Sequence, residues 1–93
     1  MENIKGTEKQ ITWAKQIVAQ WTAVVDLEHA SNMLRTDMGA SWSAVCESAK
    51  ADWLAGVEKG LKLGGAEWAI NNRTSKMGVF YGKLVTQKHK AAA

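Results

Sequence analysis

A chain of 93 residues with a formal net charge of +3 is long enough for one domain, and its one cysteine excludes an intramolecular disulfide framework. It contains no proline and is rich in Ala, Lys, Glu, Gln and Leu, which favour helices. No apolar run approaches the roughly 18 residues that a membrane-spanning helix needs. The composition therefore predicts one all-α domain, with five tryptophans supplying much of the apolar area of its core.

The first predicted element is a helix that begins after Thr7. Thr7 followed three residues later by Gln10 is a capping-box pattern, in which each side chain bonds the other residue's backbone N–H. Apolar residues then recur at helical spacing, and we expect them to form the buried face of this helix: Ile11, Ala14, Ile17, Val18, Trp21, Val24 and Val25.

The apolar pattern changes phase after Val25. Leu27, Ala30, Leu34 and Met38 define a new stripe, which predicts a bend or short break near residues 26–28. A second helical piece is then expected to end around Met38, with residue 39, a glycine, as its C-terminal stop.

A third helix is expected to be capped by either Ser41 or Ser43. Gly56, Gly60 and Gly64 lie four residues apart along it and predict a groove that another backbone approaches closely, either in this chain or in a second copy forming a homodimer. The buried stripe of this helix is predicted as follows: Trp42, Val45, Cys46, Ala49, Trp53, Val57 and Leu61.

Two further elements complete the predicted fold. Gly64 and Gly65 are expected to end the third helix, and residues 66–73 then read as a short helix with Trp68 pointing inward. Residues 75–86 fit a helical stripe but also carry strand-forming residues; we favour helix, because a lone strand lacks a pairing partner. The expectation is a compact bundle of four or five helices, a single domain over residues 1–90, with residues 91–93 a vector-derived tail.

Two short motifs resemble those of a known group. The N-terminal motif, residues 6–14 (GTEKQITWA), and the C-terminal motif, residues 68–73 (WAINNR), are similar to the GTEKQIxWA opening and WWIDNR-like close of small phage and mobile-element proteins of Gram-positive bacteria. The C-terminal motif departs from the pattern at Ala69 and Asn71. The role of that group is unsettled, so the resemblance implies an origin and no activity. A helix start followed by a buried stripe also explains the N-terminal motif.

Residues that could perform catalysis are sparse. His89 lies between two lysines near the end of the chain, and His29 has Asp26 one turn before it, which we interpret as a solvated surface pair. Cys46 is predicted to be a small core hydrophobe, since no cation is positioned to lower its pKa. Neither a nucleophile with its base nor a set of metal ligands can be assembled, so we expect no enzyme, no metal and no cofactor.

Positive charge concentrates at the end of the chain. Residues 1–68 hold seven Lys and Arg against nine Asp and Glu, a balance of −2, whereas residues 69–93 hold five cations and no acid, +5. Cations, amides and an aromatic occur together there, as phosphate contacts and base stacking require, although a solubilising tail or an acidic protein partner explains the charge as well. The candidate contacts to a partner or to nucleic acid are Asn71, Asn72, Arg73, Lys76, Tyr81, Lys83 and Lys88.

Two functions from different classes follow. The first is a cytoplasmic phage-type protein that binds and modulates or inhibits a host protein or ribonucleoprotein machine, as anti-CRISPR inhibitors do, with Trp13 as an anchor in a partner pocket. The alternative is a nucleic-acid-binding module that uses the basic C-terminal segment.

Overall fold

The computed structural model describes residues 4–92, which form three helices in a molecule measuring 47 × 20 × 20 Å. Helix α1 spans Glu8–Met33, α2 spans Trp42–Asn71 and α3 spans Met77–Ala92, and each packs against the other two. The predicted all-α class is confirmed, but the predicted number of four or five helices is wrong. No helix within residues 4–92 combines the length and apolar content needed to cross a bilayer.

Helix α1 begins at the predicted capping box. The Gln10 N–H donates to the Thr7 hydroxyl oxygen at 3.2 Å, and the Thr7 N–H donates to the Gln10 side-chain oxygen at 3.0 Å. The helix then continues past residues 26–28, so the predicted bend there is wrong. Leu27 and Leu34, which suggested a second buried stripe, are 73% and 81% exposed. The change of phase therefore marks apolar residues on the surface of one continuous helix.

The connection between α1 and α2 contains no helix within residues 34–41, so the predicted helix ending near Met38 is also wrong. Gly39 lies in this connection with φ of +93°, a value that favours glycine. The indole N–H of Trp42 donates to the Asn32 carbonyl at 2.6 Å, which satisfies an acceptor at the end of α1. Ser41 occupies the N-cap position of α2, but its side chain makes no capping bond.

Helix α2 is kinked at Gly65, where φ is +67° and ψ is −161°. The N–H of Ala66 does not bond within the helix; it donates to the carbonyl oxygen of Lys5 at 2.8 Å. A Cβ at Gly65 would lie 2.6 Å from that same oxygen. Ile4, one residue before, is buried in the core. The predicted interruption at Gly64 and Gly65 is thus a kink inside one long helix, closed by the segment that precedes α1.

The kink redirects Trp68 onto the glycines of its own helix. The Trp68 ring lies where a Cβ of Gly60 would be, and the Trp68 Cβ would lie 2.6 Å from a Cβ of Gly64. Trp68 also meets the edge of Trp21, with ring centroids 5.7 Å apart and planes at 80°. A tryptophan of the same helix therefore fills the groove expected to receive another backbone, whereas the position of Gly56 opens onto empty space.

Helix α3 settles the ambiguity of residues 75–86 in favour of helix. Its buried face comprises Met77, Tyr81 and Val85, and the indole N–H of Trp53 in α2 lies 3.4 Å from the Met77 sulfur. The helix continues through Ala91 and Ala92, two of the three residues expected to form a tail, while Ala93 lies outside the described range.

Substitution of the kink glycine should destabilise the fold strongly. We expect Gly65→Ala to lower the free energy of unfolding by about 2–4 kcal/mol, because an L-residue is strained at this φ and ψ and its Cβ meets a backbone oxygen. Urea denaturation followed by circular dichroism at 222 nm measures the change.

Gly56→Ala is the matched control. Its Cβ enters open space in a helical conformation, so we expect a gain of about 0.5–1 kcal/mol. Equal effects at the two glycines would contradict the special role of the kink.

Candidate functional site

The N-terminal and C-terminal motifs, sixty residues apart in sequence, lie together at one end of the bundle. Gly6 packs so closely on Ala66 that an added Cβ would lie 3.0 Å from the Ala66 Cβ. The guanidinium carbon of Arg73 lies 5.5 Å from the ring centroid of Trp13. The neighbourhood of the motifs therefore has a buried part, which fixes the kink, and an exposed part around Trp13.

Trp13 is the most exposed of the five tryptophans. Its side chain is 45% exposed, whereas Trp21, Trp42 and Trp53 are buried and Trp68 is half-buried. The stripe that runs through Ala14, Ile17 and Trp21 leaves Trp13 at its edge, as the helical spacing predicted.

Arg73 holds a defined position over Trp13. Its Nη1 donates to the Ile70 carbonyl at 2.7 Å, so the guanidinium is anchored at the end of α2 while it stacks on the indole. A depression of about 470 Å³ adjoins the indole. We call this exposed region the Trp13 surface, formed by Glu8, Lys9, Thr12, Trp13, Gln16 and Arg73.

Three of the residues proposed as nucleic-acid contacts have structural partners instead. Tyr81 is fully buried, so it cannot stack on a base, contrary to the sequence-based prediction. The Lys88 ammonium pairs with the Asp52 carboxylate at 2.6 Å. Asn72 is the C-cap of α2, and its side-chain amide donates to the Trp68 carbonyl at 2.7 Å.

The other four candidates, Asn71, Arg73, Lys76 and Lys83, are exposed. Lys76 lines a groove with α1, whereas Lys83 lines a separate depression with Thr86 and Gln87. The structure therefore does not gather these cations around one depression. Within residues 4–92, none of the three cations has an acidic partner within 4 Å.

A polar cluster that sequence reasoning missed joins all three helices. Nδ1 of His29 lies 2.8 Å from the Tyr81 hydroxyl, and Nε2 lies 3.3 Å from a Glu47 carboxylate oxygen. The predicted partner of His29, Asp26, instead pairs with Lys50 at 2.8 Å. His29 follows Val25 by four residues, so helical spacing placed it beside the buried stripe and could have revealed the contact.

The chemistry of this cluster is that of neutral, buried groups. Burial raises the pKa of the Cys46 thiol, so the thiol is protonated at neutral pH. Burial, with Cys46 beside the hydroxyl, raises the pKa of Tyr81 to about 12. Cys46 is fully buried, which confirms its prediction as a core residue. A protonated, inaccessible thiol is a poor nucleophile, so the cluster is suited to joining the helices.

Comparison with known proteins adds no functional assignment: no family model, no curated protein and no solved structure matches this chain. Among residues 4–92, no group of three or more His, Cys, Asp and Glu side chains could hold a metal ion. The candidate site therefore rests on the geometry of the Trp13 surface.

The raised pKa of Tyr81 has a measurable consequence. Because the folded-state pKa lies above the unfolded value, Tyr81 stabilises the fold fully below pH 10, and this contribution falls by about 1.4 kcal/mol per pH unit between 10 and 12. The chain contains one tyrosine, so absorbance at 295 nm reports this side chain alone.

The expected absorbance midpoint is near pH 12 for protein that circular dichroism shows to be folded, and near pH 10 in denaturant. A folded protein that titrates near pH 10 would show that Tyr81 is open to solvent.

Proposed function

We propose that this chain is a small non-enzymatic binding protein that docks onto a macromolecular machine of a bacterial host and modulates or inhibits it. The observation that carries the proposal is the exposed indole of Trp13 held beneath the guanidinium of Arg73. Trp and Arg are the residue types that most often dominate binding energy at interfaces. An indole already fixed on a helix also loses little conformational entropy when a partner pocket encloses it.

The partner proposed for this surface is a host protein or ribonucleoprotein. The resemblance of both motifs to phage and mobile-element proteins supports a partner inside the bacterial cytoplasm, and inhibition of an anti-CRISPR kind is one form that such docking takes. Lys9 and Arg73 lie on the Trp13 surface, so an acidic patch beside the partner pocket would complement it.

Truncation of Trp13 tests the proposal. A tagged copy is passed over nuclease-treated host lysate, and the affinity of the retained partner is then measured by biolayer interferometry. We expect Trp13→Ala to weaken binding by about 30-fold, the effect of losing a hot-spot side chain worth about 2 kcal/mol.

Phe80→Ala is the matched control, because Phe80 is an aromatic on α3 exposed to a similar extent, 49%. The proposal predicts that this variant binds like the parent chain. Retention of the partner by Trp13→Ala, with loss in Phe80→Ala, would move the docking surface away from Trp13.

Nucleic-acid binding is the second candidate function, and the exposure of Arg73, Lys76 and Lys83 favours it. Their cationic groups have no acidic partner within 4 Å in residues 4–92, so they are available for phosphates. Against it, Lys88 is paired with Asp52 and Tyr81 is buried, which removes two of the contacts that the sequence suggested.

Salt dependence separates the two functions. Three phosphate contacts on a single strand would give a slope of about −2 in a plot of log K against log salt. Because three cations that line no common depression hold an oligonucleotide weakly, we expect no complex at 150 mM salt by fluorescence anisotropy with a labelled 20-mer. A complex with that slope, lost when the three cations are changed to Gln, would favour the nucleic-acid function.

A further inference from the structure

A second concave region lies on the side of α1 that meets the start of α3. We call it the α1–α3 groove: Trp21, Val24 and Glu28 line one side and residues 75–79 the other, around a volume of about 520 Å³. Trp21 and Met77 are buried beneath it, while Val24 and Val79 are about half exposed. Its volume falls within the usual range for small-ligand pockets, and its walls are largely apolar, as such pockets require.

Gly78 keeps the groove open at the point where the two helices approach. A Cβ at this position would lie 3.1 Å from a methyl carbon of Val24 and 3.4 Å from Cγ of Glu28. A larger residue would therefore push against α1 and fill the space next to the first turn of α3.

The first turn of α3 supplies positive potential to this groove. The N–H groups of Val79 and Phe80 bond to the Lys76 carbonyl, but the Gly78 N–H makes no backbone hydrogen bond. The turn contains no acidic residue to offset the helix dipole, and the Lys76 side chain lines the groove. Free amides at a helix start and an ammonium group together favour an anion.

The indole of Trp21 provides a separate observation. Its Nε1 is the only buried side-chain nitrogen or oxygen within residues 4–92 that lacks a hydrogen-bond partner. Trp21 is 96% buried by its 4% exposure, and it lines the groove. A buried donor without an acceptor is unfavourable, and such an unpaired group calls for a partner such as a ligand oxygen.

We propose that the α1–α3 groove binds a small apolar carboxylate. The carboxylate would lie against the ammonium of Lys76 and the first amides of α3, with the apolar body between Val24 and Val79. Glu28 is the one acid that lines the groove, and it opposes the anion; the donors from Lys76, Gly78 and Trp21 outnumber it. This site is separate from the Trp13 surface, which comprises none of these residues.

The test titrates ¹⁵N-labelled protein with octanoate, and in parallel with octanol and octylamine, which share its chain but not its charge. We expect octanoate alone to shift the Gly78 amide and the Trp21 indole N–H, while the Trp13 indole stays in place. The indole signal of Trp21 is assigned with Trp21→Phe.

Lys76→Gln and Lys83→Gln form a matched pair of exposed variants on the same part of the chain. Lys76→Gln should weaken octanoate binding about tenfold, the effect of one charge-assisted hydrogen bond, whereas Lys83→Gln should leave it unchanged. Three outcomes would overturn the proposal: equal binding of octanol, stronger binding of octylamine through Glu28, or no shift at Gly78 and Trp21 at millimolar octanoate.

Discussion

The rest of the structure depends on one hydrogen bond, from the Ala66 N–H to the Lys5 carbonyl. A straight α2 would pair this N–H with the carbonyl four residues before it, and no other residue would be required. The positive φ of Gly65 releases the N–H, and the segment before α1 supplies the acceptor. The kink turns Trp68 onto Gly60 and Gly64 and against Trp21, so the wide core of this end of the bundle is built from residues beyond the kink.

The same constraint determines what the chain exposes. Because the end of α2 is held beside the start of α1, Arg73 reaches Trp13, and a cation and an indole from distant parts of the sequence form one surface. At the other end, the Trp42 indole closes α1, and Arg35 lies 5.7 Å from its ring centroid. The His29–Tyr81 contact joins α1 to α3 between these ends. The Trp13 surface is thus attached to a braced scaffold, which suits a docking role.

Local chemistry made part of this fold readable from the sequence. The capping box at Thr7, the buried stripes of α1 and α2, and the burial of Cys46 follow from spacing and side-chain type alone. Contacts between distant residues did not follow. Exposed Leu27 and Leu34 imitated a second buried stripe, and nothing in the sequence indicated that a carbonyl from residue 5 would cap a kink at residue 65. The Trp13 anchor was predictable from its place at the stripe edge, but its pairing with Arg73 was not.

The most direct test of this account is a through-hydrogen-bond scalar coupling measured by NMR on labelled protein. The account predicts a coupling between the amide nitrogen of Ala66 and the carbonyl carbon of Lys5. A coupling from Ala66 to the carbonyl of Lys62, the acceptor in an unbroken helix, would contradict it. That result would remove the kink, the seat of Trp68 and the stated origin of the Trp13 surface together.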